Sequence, residues 1–312
     1  MQLLASVDIG SNAVRLLIGH VKDGSVDRVK FERSVTRLGE GSFGTGILRK
    51  PNMERTLNVL KRFSGIIASY GIKSKRAVGT EALRAAKNSK EFLRDVLSET
   101  GIEIEIISTD EEAGLTATGA ISSIGRKGRA FILDIGGGST EWMLVRDEIL
   151  LKSGSIPLGV IRLHDKYIKN DPPAPGEIGP MKSEIRGFLD AVSREAEDFI
   201  GEDASFVQTG GTASTIASID LMLDVYEHEK IHTHKITIER LGEILSFLEP
   251  LPLIERAKAR GLEPERADLI IPGIHFTIMF MERFGFQTVT ISDCGLPEGV
   301  ILRLSGEGRT SD

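Results

Sequence analysis

An Asp-Ile-Gly triplet ends an apolar run twice in this chain, at 8–10 in "ASVDIGSNAVRLL" and at 134–136 in "FILDIGGGSTEW". A second apolar run follows each turn at once, so both segments read as β-hairpins. A buried strand that ends in a carboxylate and then gives up side chains is unusual, and here the pattern recurs. It constrains the fold more than any other feature. The chain reads as a divergent duplication of one strand-rich module, not as a short-period repeat array.

The rest of each half fits that reading. Residues 3–9 and 13–21 are predicted strands joined by "GSN", and a third strand covers 26–37. "LGEGSFGTGILRKPN" is glycine-rich and loop-like. Met53, Leu57, Leu60, Phe63, Ile67 and Tyr70 then recur at helical spacing, and Gly71 closes that helix. "RAVGT" is a short strand, "SKEFLRDVLSET" a helix stopped by Gly101, "IEIEIIS" a strand and "TDEEAGLTATGAISSI" a helix. Such alternation predicts an α/β fold. The programme restarts at Phe131 with strands at 130–135, 141–146 and 148–156. A proline-rich loop at 170–177 precedes a helix running to about Ile200. "SFVQTGGTASTIAS" is strand, Gly-Gly turn and helix, and a late strand at 288–292 leads to a final helix after Pro297. The polar stretch 123–129 marks the boundary, giving a first domain at 1–125 and a second at 126–312, with the final helix free to pack back on the first.

A length of 312 residues is enough for two real cores. With 39 basic and 45 acidic side chains the formal charge is −6, which argues against a general nucleic-acid binder. No apolar run approaches a membrane span, and residues 1–20 lack the pattern of a cleavable leader. The one cysteine, Cys294, excludes an internal disulfide and a cysteine-built metal site. These features fit a cytoplasmic protein with no membrane partner.

Glycine lets a ligand approach the backbone, and successive turn amides can converge on one anion. Gly136, Gly137 and Gly138 could therefore grip phosphate, with Ser139 and Thr140 adding hydroxyls. Asp134 would repel phosphate directly, but it makes sense as a holder of Mg²⁺. A plain tight hairpin, its glycines serving only the turn, explains one such motif equally well. "QTGGTAS" adds a third phosphate-compatible turn and shifts the balance. Neither a dinucleotide fingerprint nor a P-loop is present.

The segments "VDIGSNAVRLLI", "GTEALRAAKNSKEFL", "IEIISTDEEAGLTATGA", "ILDIGGGSTEW", "IPLGVIRL", "TGGTASTIA", "RADLIIPGI" and "SDCGLPEGV" occur in the order seen in one family. From about residue 3 to 304 the chain resembles the exopolyphosphatase/guanosine pentaphosphate phosphohydrolase family, in its short two-domain form. The resemblance implies two ribonuclease-H-like domains of the actin-like ATPase superfamily flanking a cleft. It implies that Glu112 is the base that activates water, with Glu111 in reserve. Thr109 and Glu112 also fit a capping box at a helix start, the bland explanation for that glutamate. Asp134 and Glu141 become the metal-side carboxylates, with Asp8 a second metal candidate. Gly136, Gly137, Gly138 and Ser139 would grip phosphate, Ser11 and Asn12 would line the opposing hairpin, and Gly210 and Gly211 would form the third turn. Arg84 would hold substrate phosphate as a bidentate fork, with Arg15 secondary.

The implied activity is an exopolyphosphatase that releases orthophosphate from inorganic polyphosphate with Mg²⁺. The alternative is removal of the terminal 5′-phosphate of guanosine pentaphosphate. A superfamily kinase or a phosphate or nucleotide sensor is a weaker fit, and a homodimer is compatible with the family. Two departures stand out. "HTH" carries His232-Thr233 where the family often has His-Gly, and its two imidazoles read as one face of a strand. "GLPEG" carries Pro297 where the family commonly has arginine.

Overall fold

A computed structural model describes residues 1–125, 128–197, 199 and 204–306. Two compact units emerge, Met1–Gly125 with Cys294–Asp312, and Arg126–Asp293. The second unit thus stops at Asp293, and the last helix belongs to the first.

In the first unit the strands are β1 (Leu4–Ile9), β2 (Ala13–Lys22), β3 (Ser25–Val35), β4 (Ser74–Gly79) and β5 (Ile104–Ile106). Its helices are α1 (Lys50–Ser69), α2 (Glu81–Ala85), α3 (Ser89–Thr100) and α4 (Thr109–Ile124). The sheet runs β3-β2-β1-β4-β5, with β1, β2 and β3 antiparallel and β1, β4 and β5 parallel. The alternation along β1 explains its two-sided burial. Ala5, Val7 and Ile9 join the core formed with Leu60, Phe63 and Phe92 of the helices on one face. Leu4 packs with Leu17 and Ile301 on the other.

The second unit repeats the plan. Its strands are β6 (Arg129–Ile135), β7 (Thr140–Arg146), β8 (Ile149–Ile156), β9 (Ser205–Thr209), β10 (Lys235–Thr237) and β11 (Thr288–Ile291). Its helices are α5 (Val160–Tyr167), α6 (Pro175–Ala196), α7 (Gly210–Asp220), α8 (His228–Ile231), α9 (Ile238–Leu248), α10 (Leu253–Arg256) and α11 (Ile270–Phe284). The sheet order β8-β7-β6-β9-β11 matches β3-β2-β1-β4-β5, and β10 adds an antiparallel edge. Even the bulges correspond: the register shifts between Ile18 and Gly19 and again between Leu144 and Val145, equally far from Asp8 and Asp134. Each unit therefore carries the ribonuclease-H-like strand plan. The predicted helix end near Ile200 and part of the boundary stretch, at 126–127, lie outside the described residues.

The last helix, α12 (Leu296–Ser305), packs on α4, β1 and β2 of the first unit. Pro297 lies in its first turn, where proline's missing N–H is harmless. Glu298 replaces the absent cap by accepting from Gly295 N at 2.8 Å. The same buried carboxylate takes an ion pair from Arg28 at 2.7 Å. Among the described residues no helix is long and apolar enough to cross a membrane.

Candidate active site

Both Asp-Ile-Gly turns close in the same way. Gly10 N donates to Ala13 O at 3.0 Å, and Gly136 N donates to Ser139 O at 3.0 Å. In each turn the following carbonyls are consumed from behind. Ser11 O accepts from Gly39 N, and Asn12 O accepts from Thr36 N and Arg37 N. Gly136 O and Gly137 O accept from Val160 N and Ile161 N at 3.0 and 2.9 Å, while Arg162 Nε reaches Gly138 O at 2.6 Å. Gly159 makes this second backing possible, since a Cβ there would lie 2.4 Å from Gly137 C and O. The N–H groups of Ser11, Asn12, Gly137 and Gly138 meet no acceptor among the described residues. Each turn is built to present free amides, the arrangement that binds phosphate oxygens.

The duplication diverges in charge. Across the first hairpin Asp8 stands opposite Arg15, and across the second Asp134 stands opposite Glu141. Arg15 places both Nε and a terminal nitrogen on one oxygen of Asp8, so the pair is internally neutralised. The other oxygen of Asp8 is buried without a partner, as is Asn12 Oδ1. Burial pushes the Asp8 carboxyl above its ordinary range, against the pull of Arg15.

The second hairpin opposes two carboxylates at one end of a sheet. Glu141 is 3 % exposed and accepts from Ser155 Oγ at 2.8 Å. Gly210, at φ 83°, leaves room for Asp134, because a Cβ there would lie 2.1 Å from Asp134 Oδ1. Hard oxygen donors of this kind suit Mg²⁺, which needs only one or two carboxylates and keeps several waters. Among the described residues no group of three or more His, Cys, Asp or Glu is arranged to hold a metal. Beside Asp134, β9 ends in the third turn. Thr212 Oγ1 donates to Ile135 O at 2.8 Å and ties that turn to β6.

Arg266 was not singled out by the sequence reading. Its guanidinium packs on Gly211, where a Cβ would lie 2.5 Å from both terminal nitrogens, and its Nε donates to Glu263 at 3.1 Å. The segment "RADLIIPGI" carried the only signal for it.

Glu112 lies in the first unit. Ser108, not Thr109, caps α4 and accepts from Glu111 N at 3.1 Å. Glu112 thus stands one residue past the place a capping box from Ser108 would use, still within the acidic first turn of α4. It is 8 % exposed, and its Oε2 accepts from Arg84 at 3.1 Å. Arg84 donates as well to Ile107 O at 2.9 Å and to Glu81 at 3.1 Å. Its fork is thus shared among Glu112, Glu81 and the Ile107 carbonyl. Glu111 points to Arg76 at 2.6 Å and is half-exposed.

The "HTH" segment is not a strand. His232 stacks on His228 with centroids 5.4 Å apart, whereas His234 bonds Asp220 at 2.7 Å, so the two imidazoles serve different partners. Thr233 between them adopts φ 64°, the conformation that favours glycine, with its N–H fixed to Ile291 O at 2.8 Å. A left-handed β-branched residue costs about 1–2 kcal/mol, and glycine's greater unfolded-state entropy returns about 0.5–1 kcal/mol of any relief. Thr233→Gly is therefore expected to stabilise the fold by about 0.5–1 kcal/mol. Denaturant titration checks this, and a lowered midpoint would show that the threonine is not strained.

Comparisons with known proteins follow the same lines. The family profile described as the Ppx/GppA phosphatase family matches residues 17–307. A bifunctional 3-dehydroquinate synthase/phosphatase of Fusobacterium nucleatum is 32 % identical over 310 residues, covering 96 % of this chain. The match takes in 46 % of that relative, so the chain spans just under half of its length. Exopolyphosphatase 2 of Mycobacterium tuberculosis is 29 % identical, with 97 % of this chain and 98 % of the relative covered. The crystal structure of the Aquifex aeolicus Ppx/GppA phosphatase, type II variant, superposes with a TM-score of 0.76 at 31 % identity, over 97 % of this chain and 99 % of that one.

Proposed function

The chain belongs to the Ppx/GppA phosphatase family, and from that membership we propose that it removes the terminal phosphate of inorganic polyphosphate. The observation that carries the reading is the pair of glycine turns whose carbonyls are consumed and whose amides are left free. Amides so fixed need no reorganisation to meet the charge of a phosphoryl group. Glu112 is the base that orients and deprotonates the attacking water, and Arg84 holds its carboxylate in place. Asp134 and Glu141 would hold Mg²⁺, which supplies positive charge against the phosphate oxygens. Gly137 and Gly138 grip the phosphoryl group, and Ser11 and Asn12 offer a second set of amides. The M. tuberculosis relative named an exopolyphosphatase supports polyphosphate over a nucleotide.

Phosphate release from long-chain polyphosphate and from guanosine pentaphosphate, with and without Mg²⁺, tests the proposal. Faster turnover of polyphosphate is expected. Release mainly from the nucleotide would move the assignment to a 5′-phosphohydrolase, and silence on both would overturn it. In the same assay Asp134→Asn should shift the Mg²⁺ midpoint upward by about tenfold or more, the usual effect of losing a carboxylate near a metal. An unchanged metal titration would remove Asp134 from that role.

A further inference from the structure

Residues 36–49 connect β3 to α1 and form the backing of the first glycine turn. Gly39 N donates to Ser11 O at 2.8 Å, and Thr36 N and Arg37 N donate to Asn12 O at 3.0 and 2.9 Å. From the other side, buried Asn52 donates to Arg37 O at 2.8 Å and Glu40 O at 3.3 Å. Arg55 donates to Thr36 O at 2.9 Å, and Asn88 pairs with both backbone groups of Leu48. A loop held from three directions is a rigid platform, not a slack connection. Arg37 even keeps φ 53°, a strained state that persists only where the surroundings dictate it.

Two cations sit on this platform. Arg49 lies along Gly41, where a Cβ would come 3.2 Å from its Cδ and 3.3 Å from its Nε. Lys87 lies along Gly46, where a Cβ would come 3.3 Å from its Cε, and its own N–H donates to Gly46 O at 2.8 Å. Both glycines have positive φ. Neither cation has a carboxylate or other hydrogen-bond acceptor for its side chain among the described residues. Their neighbours differ: Arg37 pairs with Glu40 and Lys50 with Glu54. Lys87 also follows α2, the short helix that carries Arg84.

We propose that this loop, with Arg49 and Lys87, is an anion subsite for a run of phosphate groups beyond the one hydrolysed. It rests on the phosphohydrolase function proposed above and extends it to chain-length preference. Two unopposed cations on a fixed backbone favour a linear polyanion over a single phosphate, because each further phosphate displaces counterions and gains a charge-assisted contact.

The test compares Arg49→Gln/Lys87→Gln with the wild type. The control is Lys258→Gln/Arg260→Gln, which removes the same charge from exposed positions of the second unit. The ratio of kcat/KM for long-chain polyphosphate to that for tripolyphosphate should fall about tenfold in the first variant and hold in the control. The salt dependence of the long-chain reaction should weaken by about one unit of logarithmic slope per cation removed. Guanosine pentaphosphate, run in parallel, separates a phosphate run on a nucleotide from an inorganic chain. A ratio equal to the wild type's, or an equal fall in the control, overturns the subsite. Titration calorimetry with long-chain polyphosphate gives an independent reading. If the wild type binds but does not hydrolyse, and the variant binds less, the subsite stands while the catalytic assignment fails. Equal binding by both proteins overturns the subsite whatever the catalysis.

Discussion

Glu112→Gln is expected to lower kcat by about 10²–10⁴, the range a positioned general base contributes, with no loss of fold. Glutamine is nearly isosteric and can still accept from Arg84, whose other contacts, to Ile107 O and Glu81, remain. What goes is the proton-accepting charge. Glu111→Gln is the matched comparison one residue away. Its carboxylate is half-exposed and engaged by Arg76, so removing it costs only a solvent-screened ion pair, and kcat should change less than twofold. Steady-state phosphate release with thermal melts decides between them. A silent Glu111→Gln beside an active Glu112→Gln would reverse the assignment. Losses in both would mean that the start of α4 matters as a unit.

That pair of residues illustrates what sequence could and could not deliver. The hairpins, the strand–helix alternation and the long helices were legible because each rests on local periodicity and turn chemistry. The equivalence of Asp8 and Asp134 was legible for the same reason, and the matched bulges extend it. The cap was misplaced by one residue because Ser108 and Thr109 are both good caps, and only backbone angles choose between them. The strand read through His232 and His234 failed because the chain turns there through a left-handed threonine. The partner of Arg15 and the packing of Arg266 on Gly211 depend on register and on contacts distant in sequence. No spacing rule contains them. The backing of both turns, by residues 36–39 in one and by the start of α5 in the other, was equally hidden, though it decides which backbone groups stay free.

The return of α12 to the first unit carries the largest expected effect on stability. Gly299 and Gly119 bring α12 and α4 into backbone contact. A Cβ on Gly299 would lie 1.9 Å from Leu115 O, and one on Gly119 would lie 2.0 Å from Gly295 O. The obstructing atoms are main chain, so no rotamer change relieves them. Gly299→Ala must instead push the helices apart and open the cluster of Val78, Ile107, Leu115, Leu296 and Val300. Alanine's helix propensity returns about 1 kcal/mol, while overpacking of this kind costs upward of about 3 kcal/mol, so packing wins. A net loss of about 2 kcal/mol and a Tm lower by roughly 4–8 °C are expected. Gly65→Ala, in α1 with open space around its Cβ, should go the other way by about 0.5–1 kcal/mol. Because α4 also carries Glu112, displacing it should lower kcat even where Gly299→Ala remains folded. Opposite signs for the two glycines, with the activity loss confined to Gly299→Ala, would show that close helix contact holds the base in place. Equal and small effects would mean that α12 tolerates separation from α4, and that Glu112 is positioned by Arg84 alone.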